Sequence, residues 1–215
     1  MITAFTGVPG GGKSLHAAQE ILDAITKKGI PVIANFDVNR PMFDKVLLKR
    51  KKLGVFENWK NTDLSPSRLI DYSEEHYKDN DFSENGILLV IDEAQLLFNA
   101  RTWTDHQRSD WVYFFTNSRH FGFRVILICQ FLEMLDKQIR SVIEIEVKHR
   151  NMANFGLAGK IISLCVGGKL FVCVTYYCGL TQRVGVQYVL GRRHLYRFYD
   201  SYDTEAFKTG DKATA

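Results

Sequence analysis

Gly7-Val8-Pro9-Gly10-Gly11-Gly12-Lys13-Ser14 follows a short apolar stretch, Ile2 to Phe5, and precedes Leu15, Ala18, Ile21, Leu22 and Ile25, which recur at helical spacing. The eight residues match G-x-x-x-x-G-K-[ST] without a gap, and a strand before and an amphipathic helix after are the context this pattern requires. A glycine-rich loop at a helix N-terminus turns several backbone N–H groups toward one concave point, which is an anion site. Gly7, Pro9, Gly10, Gly11, Gly12, Lys13, Ser14 and Leu15 are therefore the candidate nucleotide-binding stretch. Lys13 reaches the β and γ phosphates, and the Ser14 hydroxyl ligates Mg²⁺.

Ile87-Leu88-Leu89-Val90-Ile91-Asp92-Glu93 reads as a buried parallel strand ending in two acids. At the C-terminal end of such a strand, where ligands of open α/β sheets gather, Asp92 is placed to hold Mg²⁺ through its water shell. Glu93 lies just beyond, where a carboxylate orients and deprotonates an attacking water. An acid directly after the metal-binding Asp separates hydrolases from most small-molecule kinases, which must exclude water. ATP and Mg²⁺ are thus the expected ligands, and ATP hydrolysis the expected reaction.

The rest of the chain alternates strands and helices, which predicts an α/β fold with a mostly parallel sheet covered on both faces. Expected strands are Thr3 to Thr6, Val32 to Asn35, Ile87 to Asp92, Arg124 to Gln130 and Val142 to Lys148. Helices are expected from Lys13 to about Lys28, Ser65 to about His76, Thr104 to about His120, and Leu132 into Ile139. In P-loop NTPases of the additional-strand type, the strand after the Asp-Glu strand inserts between it and the phosphate-loop strand. That arrangement brings Gln130 beside the γ-phosphate, where an amide donates and accepts at once. An arginine from a neighbouring subunit commonly completes such a site. Arg119, at a helix end before His120-Phe121-Gly122, is the preferred candidate, with Arg101, Arg140 and Arg150 as alternatives.

Composition sets the outer bounds. The chain has 215 residues, 46% hydrophobic and 24% charged, enough for one good core. A formal net charge of +4 is only mildly basic and points to no particular polyanion. One basic run, Lys49-Arg50-Lys51-Lys52, reads as a solvated helix face or as a contact for nucleic acid or lipid head groups. Cys129, Cys165, Cys173 and Cys178 sit in apolar surroundings without paired spacing, so buried reduced thiols are expected, with no structural metal. That fits a reducing, cytoplasmic compartment. The phosphate loop occupies the N-terminus, leaving no place for a signal peptide there. Ile161 to Leu180 could pass for a membrane span by length, but Gly167-Gly168 and Lys169 at its centre favour a hairpin with a glycine turn. Strands are accordingly expected over Lys160 to Val166, Leu170 to Tyr177 and Arg183 to Leu190. The organisation is a nucleotide-binding core over 1–150, a β-rich extension with a C-terminal β-hairpin over 151–202, and a polar tail over 203–215.

The ordered series T-G-V-P-G-G-G-K-S, V-I-D-E-A-Q (Val90 to Gln95), S-R-H-F-G-F (Ser118 to Phe123), I-L-I-C-Q (Ile126 to Gln130), L-D-K-Q-I-R (Leu135 to Arg140) and Y-D-S-Y (Tyr199 to Tyr202) resembles the zonular occludens toxin family, the gene-one-type assembly ATPases of filamentous bacteriophages. The resemblance covers roughly Met1 to Tyr202. It implies an assembly and export motor at the cytoplasmic face of the bacterial inner membrane. It also implies a homo-oligomer, a ring in related translocases, with inner-membrane or phage assembly partners and single-stranded DNA or coat protein as cargo. Family members typically continue into a membrane-spanning helix and a periplasmic region, for which no credible span is seen in this sequence. Two other readings follow from the residues: a DNA-translocating or DNA-packaging ATPase of the same fold, and a nucleotide-switched adaptor without significant turnover.

Overall fold

A computed structural model describes residues 1–39, 54–99, 105–166, 168–179 and 182–198. Strand β1 (Ile2–Thr6) leads through the glycine loop into α1 (Lys13–Asp23), which continues as a π-helical turn, Ala24–Lys28, closed by Gly29 at φ 69°. There follow β2 (Val32–Ala34), β3 (Phe56–Asn58), α2 (Pro66–Lys78), β4 (Ile87–Ile91), α3 (Asp105–Thr116), β5 (Phe123–Ile128), α4 (Lys137–Val142) and β6 (Ile145–Asn151). The chain then forms α5 (Gly156–Cys165), β7 (Leu170–Tyr177), β8 (Arg183–Leu190) and α6 (Arg193–Phe198).

All eight strands form one sheet in the order β3-β2-β4-β5-β1-β6-β7-β8. The first six run parallel, and β7 and β8 add an antiparallel hairpin at one edge. As the additional-strand arrangement requires, β5 separates β4 from β1. Both faces are covered, so β1 and β4 are buried at every position, and β4 reads as a continuous apolar run. Side-chain alternation sorts them into two cores. Phe5, Val90 and Ile128 pack with Ile21 of α1, Ile25 of the π-helical turn and Phe198 of α6 on one face. Ile2, Leu89 and Ile91 pack with Leu69 of α2, Trp111, Phe114 and Phe115 of α3, and Ile139 of α4 on the other.

Local chemistry sets several ends. Ser65 accepts a hydrogen bond from the Arg68 N–H (3.3 Å) and Pro66 occupies the first turn, which starts α2. Asp136 accepts from the Gln138 N–H (2.8 Å), so the expected helix from Leu132 breaks into a 3-10 turn and a new start at Lys137. Helix α4 then takes Val142, and β6 begins at Ile145 and runs to Asn151, three residues later than expected at each end.

That shift corrects the reading of the C-terminal region. With β6 extended to Asn151, its free edge is filled by β7, pairing from Ile145↔Tyr177 to Asn151↔Phe171. Lys160 to Val166 is therefore not the partner of Leu170 to Tyr177, which pairs with β6 and β8. Gly156–Cys165 is helical instead, despite the β-branched Ile161 and Ile162. The hairpin is β7 with β8, and its turn follows Tyr177 rather than lying at Gly167-Gly168. A second correction concerns the thiols: Cys129 and Cys173 are buried, but Cys178 is only half-buried and Cys165, on α5, is exposed. Strand β3 was not anticipated, since three residues paired to β2 alone carry little periodic signal. The basic run Lys49 to Lys52, Arg101, Tyr199 to Tyr202 and the tail over 203–215 lie outside the described residues.

Candidate nucleotide site

The glycine loop leaves β1 beside the end of β5: the Gly7 N–H donates to the Gln130 carbonyl at 3.1 Å. Gly10 (φ 74°) and Gly12 (φ 98°) hold the left-handed backbone that wraps the loop onto α1, with Gly12 at the helix N-cap. The loop also lies hard against the structure behind it. A Cβ on Gly7 would overlap the His149 carbonyl oxygen, and one on Gly12 would stand 2.5 Å from the Phe171 ring. Thus β6 and the first residues of β7 form its back wall.

Lys13 Nζ donates to the Gly7 (2.7 Å) and Val8 (3.3 Å) carbonyls, folded over the loop. Burial lowers its pKa, and the nearby charges of Asp92 and Glu93 oppose that shift. Three chemistry-bearing residues from two separate motifs therefore share one electrostatic site.

Asp92 follows directly on β4 and is held by a residue from the neighbouring strand. The Asn35 side chain accepts from the Asp92 N–H through Oδ1 (2.7 Å) and donates to the Asp92 carbonyl through Nδ2 (2.9 Å). Asn61 Oδ1 accepts from the same Asn35 Nδ2 at 2.8 Å. The Asp92 carboxylate accepts from the Glu93 N–H at 2.8 Å, and Glu93 itself is left-handed at φ 47°. Its exposed carboxylate accepts from Gln95 Nε2. Hydroxyl and carboxylate oxygens are the donors a hard divalent cation selects, so Ser14 in the first turn of α1 and Asp92 opposite fit Mg²⁺.

Gln130 is half-buried at the end of β5, next to the loop. Arg119 is elsewhere. It ion-pairs with Glu144, whose carboxylate also accepts from the Ile2 N–H (3.1 Å), at the start of β1 and β6. That is the opposite end of the sheet from the phosphate loop. Arg119 is therefore not brought to the site within one chain.

A buried hydrogen-bonded chain lies behind the loop. His149 Nδ1 faces the Val147 (2.9 Å) and Thr6 (3.2 Å) carbonyls, so it carries the proton and Nε2 is an acceptor. His16 Nδ1 then donates to His149 Nε2 at 2.9 Å, and His16 Nε2 accepts from Gln187 Nε2 of β8 at 2.9 Å. Burial, then the Arg124 charge, lowers the His16 pKa to about 4; burial, then His16, lowers that of His149 to about 3. Both rings are neutral at pH 7. Cys173 brings a sulfur within 4.8 Å of both rings, a donor set a soft metal would use, although each ring nitrogen already has a hydrogen-bond partner. Asn35, His149, Phe171 and Gln187 were missed as site residues because strand neighbours far apart in sequence bring them there; His16 and Gln95 were missed although they lie within two residues of Ser14 and Glu93.

A glycine loop wedged between β1 and α1, an acid pair across an inserted strand and a lysine joining them electrostatically define a P-loop NTPase of the additional-strand type. Solved structures agree in fold. The N-terminal domain of zonular occludens toxin from Neisseria meningitidis aligns over 93% of this chain and 98% of that one, with TM-score 0.52 and 16% identity. B204, the DNA-packaging ATPase of Sulfolobus turreted icosahedral virus, aligns over 87% and 95%, with TM-score 0.54 and 15% identity. The family model for zonular occludens toxin (Zot) matches residues 1–206, and the chain belongs to that family. Among curated relatives, the Gene 1 protein of Enterobacteria phage I2-2 is 29% identical over 213 residues, covering 96% of this chain and 57% of that protein. The Gene 1 protein of Enterobacteria phage M13 is 29% identical over 168 residues, covering 77% and 47%. The chain thus spans roughly half the length of the curated relatives it matches.

Proposed function

We propose that this chain is the ATP-hydrolysing motor of a filamentous phage assembly and export machine, acting at the cytoplasmic face of the bacterial inner membrane. The observation that carries this reading is the convergence of Lys13, Asp92 and Glu93 on one electrostatic site in a chain of the Zot family. The loop N–H groups and Lys13 hold the β and γ phosphates. Ser14 and Asp92 would hold Mg²⁺, which would neutralise charge on the phosphate oxygens. Glu93 accepts the proton of the attacking water, whose oxygen forms the new bond to γ-phosphorus as the bond to the ADP oxygen breaks. Gln130 contacts the γ-phosphate and distinguishes ATP from ADP.

Arg119 stands at the far end of the sheet from its own loop, so on this reading a role in turnover requires it to act on a neighbour's nucleotide in a homo-oligomer. The test is Mg²⁺-ATP hydrolysis per subunit over a wide protein concentration range, with Glu93→Gln as the blank. Specific activity rising with concentration supports a site completed between subunits. Activity no greater than the blank at every concentration, with nucleotide still bound, would replace the motor by a nucleotide-switched adaptor. Strong stimulation by DNA with steep salt dependence would identify nucleic acid as the cargo, in line with the description of B204 as a packaging ATPase.

A further inference from the structure

Among the described residues, helix α5 stands apart by the exposure of its apolar side chains. It packs on the 3-10 turn Met152–Asn154 through Gly159, where a side chain would overlap the Met152 carbonyl, and otherwise projects from the body. Its apolar residues face water: Leu157 is 79% exposed, Ile161 61% and Leu164 81%, with Phe155, Ile162 and Val166 also exposed. Residues 157, 161 and 164 form one stripe at helical spacing. A contiguous apolar surface of this kind marks a contact with something other than water.

The electrostatics of the same region restrict what that is. From Val147 to Tyr199 the chain carries eight Lys or Arg and no Asp or Glu, while the whole chain has a net charge of only +4, so the remainder is net acidic. Beside Leu164 lies an open groove of about 500 Å³, lined among others by Asn151, Lys160, Ser163 and Lys169. The Ser163 hydroxyl is buried with no hydrogen-bond partner. Two ammonium groups and an unsatisfied hydroxyl, next to a stripe of leucine and isoleucine, match a ligand that is anionic at one end and aliphatic at the other.

We infer that α5 and its groove form a docking surface for anionic phospholipid, with the head-group phosphate between Lys160 and Lys169 and the acyl region against Leu157, Ile161 and Leu164. At ~1.5 Å per residue the ten-residue helix is roughly 15 Å long, half the ~30 Å hydrocarbon core, so it lies in the interface and does not span. A second copy docking face to face would set like charges together. Nucleic acid would meet the lysines and leave the leucines wet. Anionic lipid satisfies both halves of the patch. The inference deepens the membrane-face location proposed above and is independent of turnover.

The test is co-sedimentation of the full chain with vesicles of phosphatidylcholine alone or mixed with phosphatidylglycerol. Binding to the anionic vesicles only, weakened by salt, is the expected result. Leu157→Ser with Leu164→Ser, or Lys160→Gln with Lys169→Gln, should each weaken partitioning by about ten-fold or more, with circular dichroism and ATP hydrolysis unchanged. No sedimentation, equal binding to neutral vesicles, or variants that bind as well as the parent would overturn the proposal. So would displacement from vesicles by a DNA oligonucleotide or by inorganic phosphate, or a shift in oligomer size caused by the leucine variant without lipid. Vesicle binding is read without nucleotide, so its failure leaves the motor reading standing.

Discussion

The Asn35 carboxamide bonds both backbone groups of Asp92, accepting from its N–H and donating to its carbonyl. A residue at the end of β2 thereby fixes the direction in which β4 delivers its acid pair. Asn35→Ala removes that clamp while touching no residue of either apolar core. We expect a fall in kcat of roughly 10 to 100-fold, the usual cost of losing a group that orients a metal-binding carboxylate. Unchanged kcat with unchanged Mg²⁺ dependence in steady-state kinetics would remove Asn35 from the site.

Lys13 and Glu93 are expected to separate binding from turnover. Lys13→Ala should lose nucleotide affinity in a fluorescent-analogue titration, whereas Glu93→Gln should retain affinity and lose hydrolysis. Gln95 holds the Glu93 carboxylate, so Gln95→Ala should change kcat while leaving nucleotide affinity near the parent value. Hydrolysis by Glu93→Gln at the parent rate would show that another group activates water.

The back wall of the loop can be tested at Gly7. Its backbone stands at φ 140°, and a methyl group there meets the His149 carbonyl, which cannot move without moving β6. Gly7→Ala should therefore lower stability by ~1 to 3 kcal/mol, read by thermal denaturation, and weaken nucleotide binding. A variant as stable as the parent would mean that β6 yields at little cost.

The buried histidines predict a specific acid response. Their folded pKa values, about 4 for His16 and about 3 for His149, lie below the unfolded value of about 6.5, so the unfolded chain binds more protons. Stability is then full above pH ~6.5 and falls as pH drops from there through about 4 for His16 and about 3 for His149. His149→Gln should flatten the dependence of Tm on pH across that window. An equally steep slope in the variant would assign the acid response to other groups.

For Arg119 the prediction concerns mixtures. Arg119→Ala should retain nucleotide affinity and lose turnover, and mixing it with Lys13→Ala protein should restore activity through hybrid sites. Because Arg119 pairs with Glu144, Glu144→Gln should raise its availability to a neighbour and increase activity at low protein concentration. No restoration in mixtures would leave Arg119 as a structural partner of Glu144.

The elements that follow from local pattern were legible in the sequence. The phosphate loop, the Asp92-Glu93 strand end and the inserted β5 all depend on contiguous motifs or on short, largely apolar runs. What was not legible depends on pairing between distant strands. Nothing near Asn35 announces that β2 lies beside β4, and nothing near His149 announces that its carbonyl will touch Gly7. The misread strand at Lys160 to Val166 has the same origin. Its residues have strand propensity, but the partner of β7 on either side is β6 or β8, a long-range pairing that local propensity does not record.

Phe171 and Gln187 have a practical consequence for anyone shortening this chain. A fragment ending near residue 150 would keep every residue of the phosphate loop and the acid pair, yet it would strip Gly12 of the ring behind it and leave a buried His16 nitrogen without its donor. The smallest piece expected to bind nucleotide as the intact chain does therefore reaches at least Val189, whose buried side chain anchors β8 in the same core as α1.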